Sequence, residues 1–356
     1  SFSQDDDRQA PVTPRCSPHS PAAPGSGSDD EAGFLIEDGE MHTRWDKALK
    51  GRSAADLPVE ELRSLVEAGM PLKHRVGLWT RWFGSVTPWA PAAAEAADDS
   101  PTSGSDVDVV GELARLVPSD VERQIDLDVP RTWPRFFGER EQESLRRVLC
   151  AHAALNPADG YCQGLNNIAA VFILLGFDDA TALKGLCSLL QTCCPGYHDR
   201  GLRGLLRDTA VLSALTQQVL PPEVVERVEK LDVPLNVLAA GHFLSLSSGS
   251  WPLTATVRLW DLLLLEGPPA VFASFLALLQ LYLPSVEAGM DAQSAVADGH
   301  KEPAISFREA VERGVKEDLQ LVLSQIRALI PKIPMGLIDQ LRCSCVPPAA
   351  AGAHDS

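Results

Sequence analysis

The chain has 356 residues, 45% of them hydrophobic, and a formal net charge of −17. That length allows one large domain or two ordinary ones, with enough apolar content to bury a substantial core. So acidic a chain is poorly suited to non-specific nucleic-acid binding or to anionic membranes, since both repel it.

The charge is unevenly spread. Residues 1–33 contribute −4 and residues 87–108 contribute −5. Both segments are rich in small residues, Pro and Asp, and offer little to bury. The first is expected to be a disordered acidic Ser/Pro-rich tail, the second a low-complexity insertion in the domain that follows. The chain begins with Ser, as a processed or excised chain would. Its first thirty residues lack the apolar stretch of a secretory signal.

Order is expected from about residue 34. Helical spacing of apolar positions predicts helices over 40–49, 58–67 and 75–83, the second carrying Val59, Leu62, Leu65 and Val66 on one stripe. The pattern resumes at Gly111 after the insertion. Further helices are predicted over 139–155, 164–175, 180–193, 208–218, 222–230, 237–246, 254–265, 269–283, 307–330 and 335–341. Residues 285–304 are polar and expected to form a mobile loop, and 347–356 a flexible tail. No run alternates as a strand does, and no repeat recurs. The predicted class is all-α. The longest apolar stretches, 168–177 and 271–284, fall short of the ~18–20 residues of a membrane span. They are expected to be buried helices, with no direct membrane insertion.

Eight cysteines occur, and none forms a C-x-x-C pair. A zinc site would need four ligands at tetrahedral spacing, with His152 or His198 completing it. Reduced thiols in a reducing compartment are the simpler reading.

Three short patterns appear in order. Arg75 and Trp79 bound R-x-x-x-W. Ile125, Asp128, Arg131 and Thr132 make I-x-x-D-x-x-R-T. Tyr161, Gln163, Gly164 and Asn166 make Y-x-Q-G-x-N. In these the sequence resembles the TBC domain of Rab GTPase-activating proteins. Gly69 and Pro71, the stretch 161–175, Tyr197, Leu220 with Pro221, and Arg258, Trp260 and Asp261 with Glu266 and Gly267 extend the likeness. It runs from about residue 45 to 341. One motif alone would be weak, and three in order are specific.

The resemblance implies an all-α TBC domain over 34–346, with packed helices in two helical subdomains. It implies an arginine finger at Arg131 and a glutamine finger at Gln163, supplied in trans to a GTP-bound Rab-family small GTPase. The chain would then need no cofactor of its own, because GTP and Mg²⁺ are carried by the partner. It would not be an enzyme alone, and would work in the cytoplasm, recruited to the membrane where its Rab acts. A non-catalytic Rab-binding scaffold or effector is the alternative, and a helical scaffold unrelated to GTPases a more distant one.

The residue types suit that chemistry. In GTP hydrolysis negative charge spreads over the γ-phosphoryl oxygens and the leaving bridge. A guanidinium stabilises that charge, and an amide can orient the attacking water. Pro130 disfavours helix at Val129, which predicts Arg131 in a loop just past a helical turn. The turn signal at 156–160 predicts Gln163 near the start of the next helix, where free N–H groups would face an incoming phosphate. Asp128 is expected to neutralise Arg131 or Arg75. Tyr161 and Asn166 are expected to position the Gln163 turn, Arg75 and Trp79 to brace the finger loops, and Ile125 to anchor the core. Asp126 and Asp159 read as solvated. One departure stands out: the family usually has Trp-Phe where this chain has His242 and Phe243, and residues 245–248 are unusually polar.

Overall fold

A computed structural model of the chain describes residues 39–83, 108–231, 233–294 and 302–345. The tails expected at 1–33 and 347–356, and the insertion except Asp108, lie outside the described residues. Sixteen α-helices and no strand occur among the described residues. In order they are α1 Gly39–Leu49, α2 Val59–Ala68, α3 Leu72–Trp82, α4 Val109–Ala114, α5 Ser119–Asp128, α6 Glu139–Leu155, α7 Leu165–Leu174 and α8 Asp179–Cys193. Then follow α9 Arg203–Val219, α10 Pro222–Lys230, α11 Leu235–Ser245, α12 Leu253–Glu266, α13 Pro268–Ser294, α14 Pro303–Glu317, α15 Leu319–Leu329 and α16 Met335–Ser344.

Prolines set many of the helix starts. Pro58, Pro71, Pro118, Pro221, Pro234, Pro252 and Pro334 each stand at the position before a helix, extended, with φ near −60°. A residue that lacks an N–H and favours this conformation loses nothing there. Three other helices start at an Asp whose carboxylate accepts an orphan N–H: Asp108 from Gly111, Asp178 from Thr181 and Asp318 from Leu321. Asp108 is thus a helix cap rather than the end of a loop.

The helices pack in two halves. In the first, α6 is the centre, with α4, α5, α7 and α8 around it. In the second, α13 is the centre, touched by α9, α10, α12, α14, α15 and α16. An aromatic seam joins them: Trp79 on α3, Phe172 on α7 and Trp260 on α12 lie with ring centroids 5.4–6.2 Å apart. All three are completely buried.

Two sequence expectations need correction here. The helix expected at 307–330 is two helices, because Asp318 turns out of helical conformation and starts α15. The helix expected to stop near 283 runs through Pro284 to Ser294, and α14 begins at Pro303, so 285–294 is helix rather than loop, while 295–301 lie outside the described residues. By length and composition alone, its segment Pro268–Glu287 could cross a membrane, but 67% of its most apolar 18-residue window is buried inside the fold. Packing on the surrounding helices carries the helix past a proline that costs ~3 kcal/mol in an isolated one.

Candidate functional site

Arg131 is delivered by α5. Ile125 is completely buried and Val129 nearly so, which pins the helix end to the core. The chain then tightens into a 3-10 turn over Val129–Arg131, with Pro130 inside it. Arg131 is exposed there, and its side chain has no hydrogen bond or ion pair among the described residues. Gln163 stands two residues before α7, likewise exposed, with no side-chain hydrogen bond among the described residues.

The two segments are tied together on both sides of these residues. The Tyr161 hydroxyl donates to an Asp128 carboxylate oxygen at 2.8 Å. Thr132 Oγ1 donates to the Asp128 carbonyl at 2.8 Å and accepts from Asn166 Nδ2 at 2.8 Å. Asn166 Oδ1 in turn accepts the Gly164 N–H at 3.0 Å. Burial, then the Asp128 charge, raises the Tyr161 phenol far above its usual pKa, so it stays a proton donor. Gly164 has φ +112°, a conformation that strains any residue with a Cβ. A Cβ there would also stand 2.8 Å from the Leu244 carbonyl oxygen.

Three expected roles differ from what the fold builds. Asp128 pairs with Tyr161, not with an arginine; Arg75 is forked onto Asp261 instead, at 3.0 and 2.9 Å, and Trp79 Nε1 donates to the same carboxylate at 3.0 Å. Arg75 and Trp79 therefore lock α3 to α12, with the Trp79 ring against Phe172 of α7, and their side chains form no hydrogen bond with the Arg131 or Gln163 loops among the described residues. The N–H groups at the start of α7 are not all free: Gly164 donates to Asn166, Leu165 to the Cys162 carbonyl and Asn167 to the Gly164 carbonyl. Asp126 and Asp159 are both exposed, Asp126 in a surface ion pair with Arg146 at 2.7 Å.

Two residues carry more than their sequence context suggests. Thr132 bridges the two loops, and its only signal is its place at the end of the second motif. Asp261 organises a buried cluster, with Arg258 3.7 Å away while also donating to the Val66 and Glu67 carbonyls that end α2.

Among the described residues no group of His, Cys, Asp and Glu could hold a metal ion, and the cysteines are free thiols. Burial pushes Cys150 and Cys193 up to about 11 and Cys187 to about 12, which leaves them unreactive. The polar stretch after His242 is satisfied internally: His242 contacts Ser274 Oγ at 2.8 Å and Ser247 Oγ at 3.0 Å.

Residues 99–285, slightly more than half of the chain, match the Rab-GTPase-TBC domain family. The chain is 39% identical over 165 residues to growth hormone-regulated TBC protein 6 of Caenorhabditis elegans, covering 46% of this chain and 49% of that protein. It is 31% identical over 228 residues to TBC1 domain family member 2A of Rattus norvegicus, covering 62% and 23%. The chain thus spans about half of one relative and a quarter of the other. Its fold resembles the crystal structure of the Chlamydomonas flagellar RabGAP TBC domain, with a TM-score of 0.61, 20% identity, and coverage of 81% of this chain and 90% of that one.

Proposed function

The chain belongs to the Rab-GTPase-TBC domain family, and from that premise we propose that it accelerates GTP hydrolysis by a Rab-type small GTPase, with Arg131 and Gln163 entering the partner's active site. What supports the reading above all is that these two motif side chains are exposed and unpartnered on two loops tied by the Asp128–Tyr161 and Thr132–Asn166 bonds. Neither donor set is already spent on a neighbour, and the ties restrict how far the loops can move apart.

The chemistry follows from the groups. Arg131 presents forked, permanently charged donors that match γ-phosphoryl oxygens. The Gln163 amide both donates and accepts, so it can orient a water while holding a second group. Placing these groups before the reaction starts removes the cost of ordering them in the transition state. The GTPase brings GTP and Mg²⁺, so this chain completes a site rather than owning one. On this reading it binds the GTP-bound partner and works from the cytoplasm on whichever membrane carries its Rab, in vesicle trafficking.

Single-turnover hydrolysis across a panel of GTP-loaded Rabs tests the reading. The wild-type chain should accelerate at least one member strongly, and Arg131→Ala and Gln163→Ala should each lose most of that acceleration while still folding. A chain that binds a GTP-loaded Rab without changing its rate would be a scaffold, and the catalytic reading would fall.

A further inference from the structure

Behind the Gln163 turn lies an arrangement that the three motifs do not explain. α11 ends at Ser245, and Leu246 and Ser247 turn into the left-handed conformation. A helix end leaves carbonyls without N–H partners. Most are settled locally: the His242 carbonyl accepts from Ser247 N at 3.0 Å, that of Phe243 from Leu246 N at 3.4 Å, and that of Ser245 from Ser248 N at 3.0 Å. The Leu244 carbonyl accepts no backbone N–H among the described residues. It is met from the 194–202 loop, by His198 Nε2 at 2.8 Å. A carbonyl only accepts, so Nε2 carries the proton.

The same carbonyl is where the Gln163 turn rests. Gly164 lies so close to it that a Cβ would come within 2.8 Å of the oxygen and 3.3 Å of the carbonyl carbon. The backbone one residue after Gln163 is therefore seated on the Leu244 peptide. On another side the turn has room to move: a cavity of about 270 Å³ is lined by Gly160 and Leu165, which flank it, together with His152 and His198. Within the last turn of α11 the Leu244 carbonyl is held by the His198 hydrogen bond.

We propose that His198 is a positioning residue for the Gln163 turn, acting by capping the Leu244 carbonyl on which Gly164 sits. The proposal rests on the reading of Gln163 as the water-orienting group for its link to rate, but not for its link to structure. A displacement of about 1 Å at a catalytic group can cost ~10²-fold in rate, so a loosened seat should be visible in hydrolysis.

Two measurements on the full chain test it, using His198→Ala, which removes the donor, and His198→Gln, whose amide N–H reaches about as far as Nε2. Without any GTPase present, amide hydrogen exchange at residues 163–165 should quicken at least tenfold in His198→Ala and stay within threefold of wild type in His198→Gln, with α13 unchanged in both. Equal exchange in wild type and His198→Ala overturns the proposal. In single-turnover hydrolysis at saturating chain, His198→Ala should slow the stimulated rate 10- to 100-fold with a half-saturating concentration within twofold of wild type. His198→Gln should restore it, and adding His198→Ala to Gln163→Ala should cost nothing more. A full further loss in the Gln163→Ala background, or no rescue by Gln, also overturns it. If the wild-type chain stimulates no Rab, the functional reading falls and the exchange measurement still decides His198. Should His198→Ala lose its helicity, His198→Asn, whose amide stops short of the carbonyl, takes its place in both measurements.

Discussion

Arg75 lies on α3 with 2% of its surface exposed, forked onto Asp261, while Arg131 stands exposed on a 3-10 turn with no partner among the described residues. Both are motif arginines, and their surroundings are opposite. A guanidinium taken out of water must be matched by a carboxylate at good geometry, and Asp261, itself fully buried, supplies one. The role proposed for Arg131 asks the opposite, donors left open for a phosphate on a rigid base. The contrast teaches where each cost should fall on mutation: stability at Arg75 and Asp261, rate at Arg131.

The largest effect expected is on the exposed side. Arg131→Ala should lower the maximal stimulated rate by about 10³–10⁵ with a responsive Rab, the general worth of an arginine finger. Arg131→Lys should lose most of it too, since it keeps the charge without the fork. The melting temperature should stay within about 2 °C of wild type for either, as for most surface substitutions. A near wild-type rate for Arg131→Ala would break the comparison at its more consequential end.

Next comes the buried side. Asp261→Ala leaves Arg75 and the Trp79 N–H without their acceptor, and removing one partner of a buried pair costs about 3–5 kcal/mol. Urea unfolding should show this loss, with the melting temperature down by ~10 °C. Whatever protein remains folded should still stimulate hydrolysis, because neither side chain forms a hydrogen bond with the finger loops among the described residues. Replacing Arg75 and Asp261 together by Leu should cost less than Asp261→Ala alone, since the Arg75 charge is not then stranded and Arg258 keeps the Val66 and Glu67 carbonyls. If the double change costs as much as the sum of the single ones, the pair is not what holds α3 to α12.

The same division, local against long-range, separates what is legible in the amino-acid sequence from what is not. Helices with strong amphipathic stripes and clear ends are legible, α6 and α10 to the residue. So are the exposed positions of Arg131 and Gln163, the second from the 156–160 turn; the local reading of Pro130 fails in detail, since Val129 keeps helical backbone and Arg131 ends a 3-10 turn instead of standing in a loop. The break at Asp318 is not, since Phe307, Val311, Val315, Val322 and Ile326 keep one helical stripe running through it, and a single residue's extended backbone ends α14. The partner of Arg75 is not legible either: Asp261 is 186 positions away, and a sequence carries no distance across a fold. Asp128, close in sequence to Arg131, looks like the natural acceptor. Only tertiary packing gives it to Tyr161.

Acid should separate the structural cost from the catalytic one. His242 and His152 are buried and kept neutral, His242 lowered to about 3 by burial and His152 to about 4 by burial and then by the nearness of His198. A histidine whose folded pKa is depressed below its ordinary 6.5 binds protons more readily in the unfolded chain. Its contribution is intact above pH 6.5 and declines as pH falls from there towards the folded value. At pH 5 each should cost roughly 2 kcal/mol. Urea midpoints at pH 7, 6 and 5 should fall together with the acid, and the fall should be clearly smaller in His242→Gln, with His152 and the likewise lowered His198 and His74 supplying the rest. An unchanged slope in that variant would mean His242 is not one of the groups taking up protons.

The smallest effect expected lies between the two extremes, in the ties that join the finger loops. Tyr161→Phe removes the hydroxyl that donates to Asp128 and nothing else. Asp128 is only half-buried, so water can replace the lost donor, and the stability cost should be near 1 kcal/mol. The rate should fall by less than about tenfold, because the Asn166–Thr132 bond still spans the loops. Thr132→Val breaks that second tie and should behave similarly. The informative variant carries both changes. If each tie holds the loops when the other is gone, the double change should slow stimulated hydrolysis by more than the product of the single effects, because Arg131 and Gln163 then move independently. A simple product would show that each tie steadies its own loop alone, and that Arg131 and Gln163 are held at their spacing by the packing of α5 and α7 on α6 rather than by these bonds.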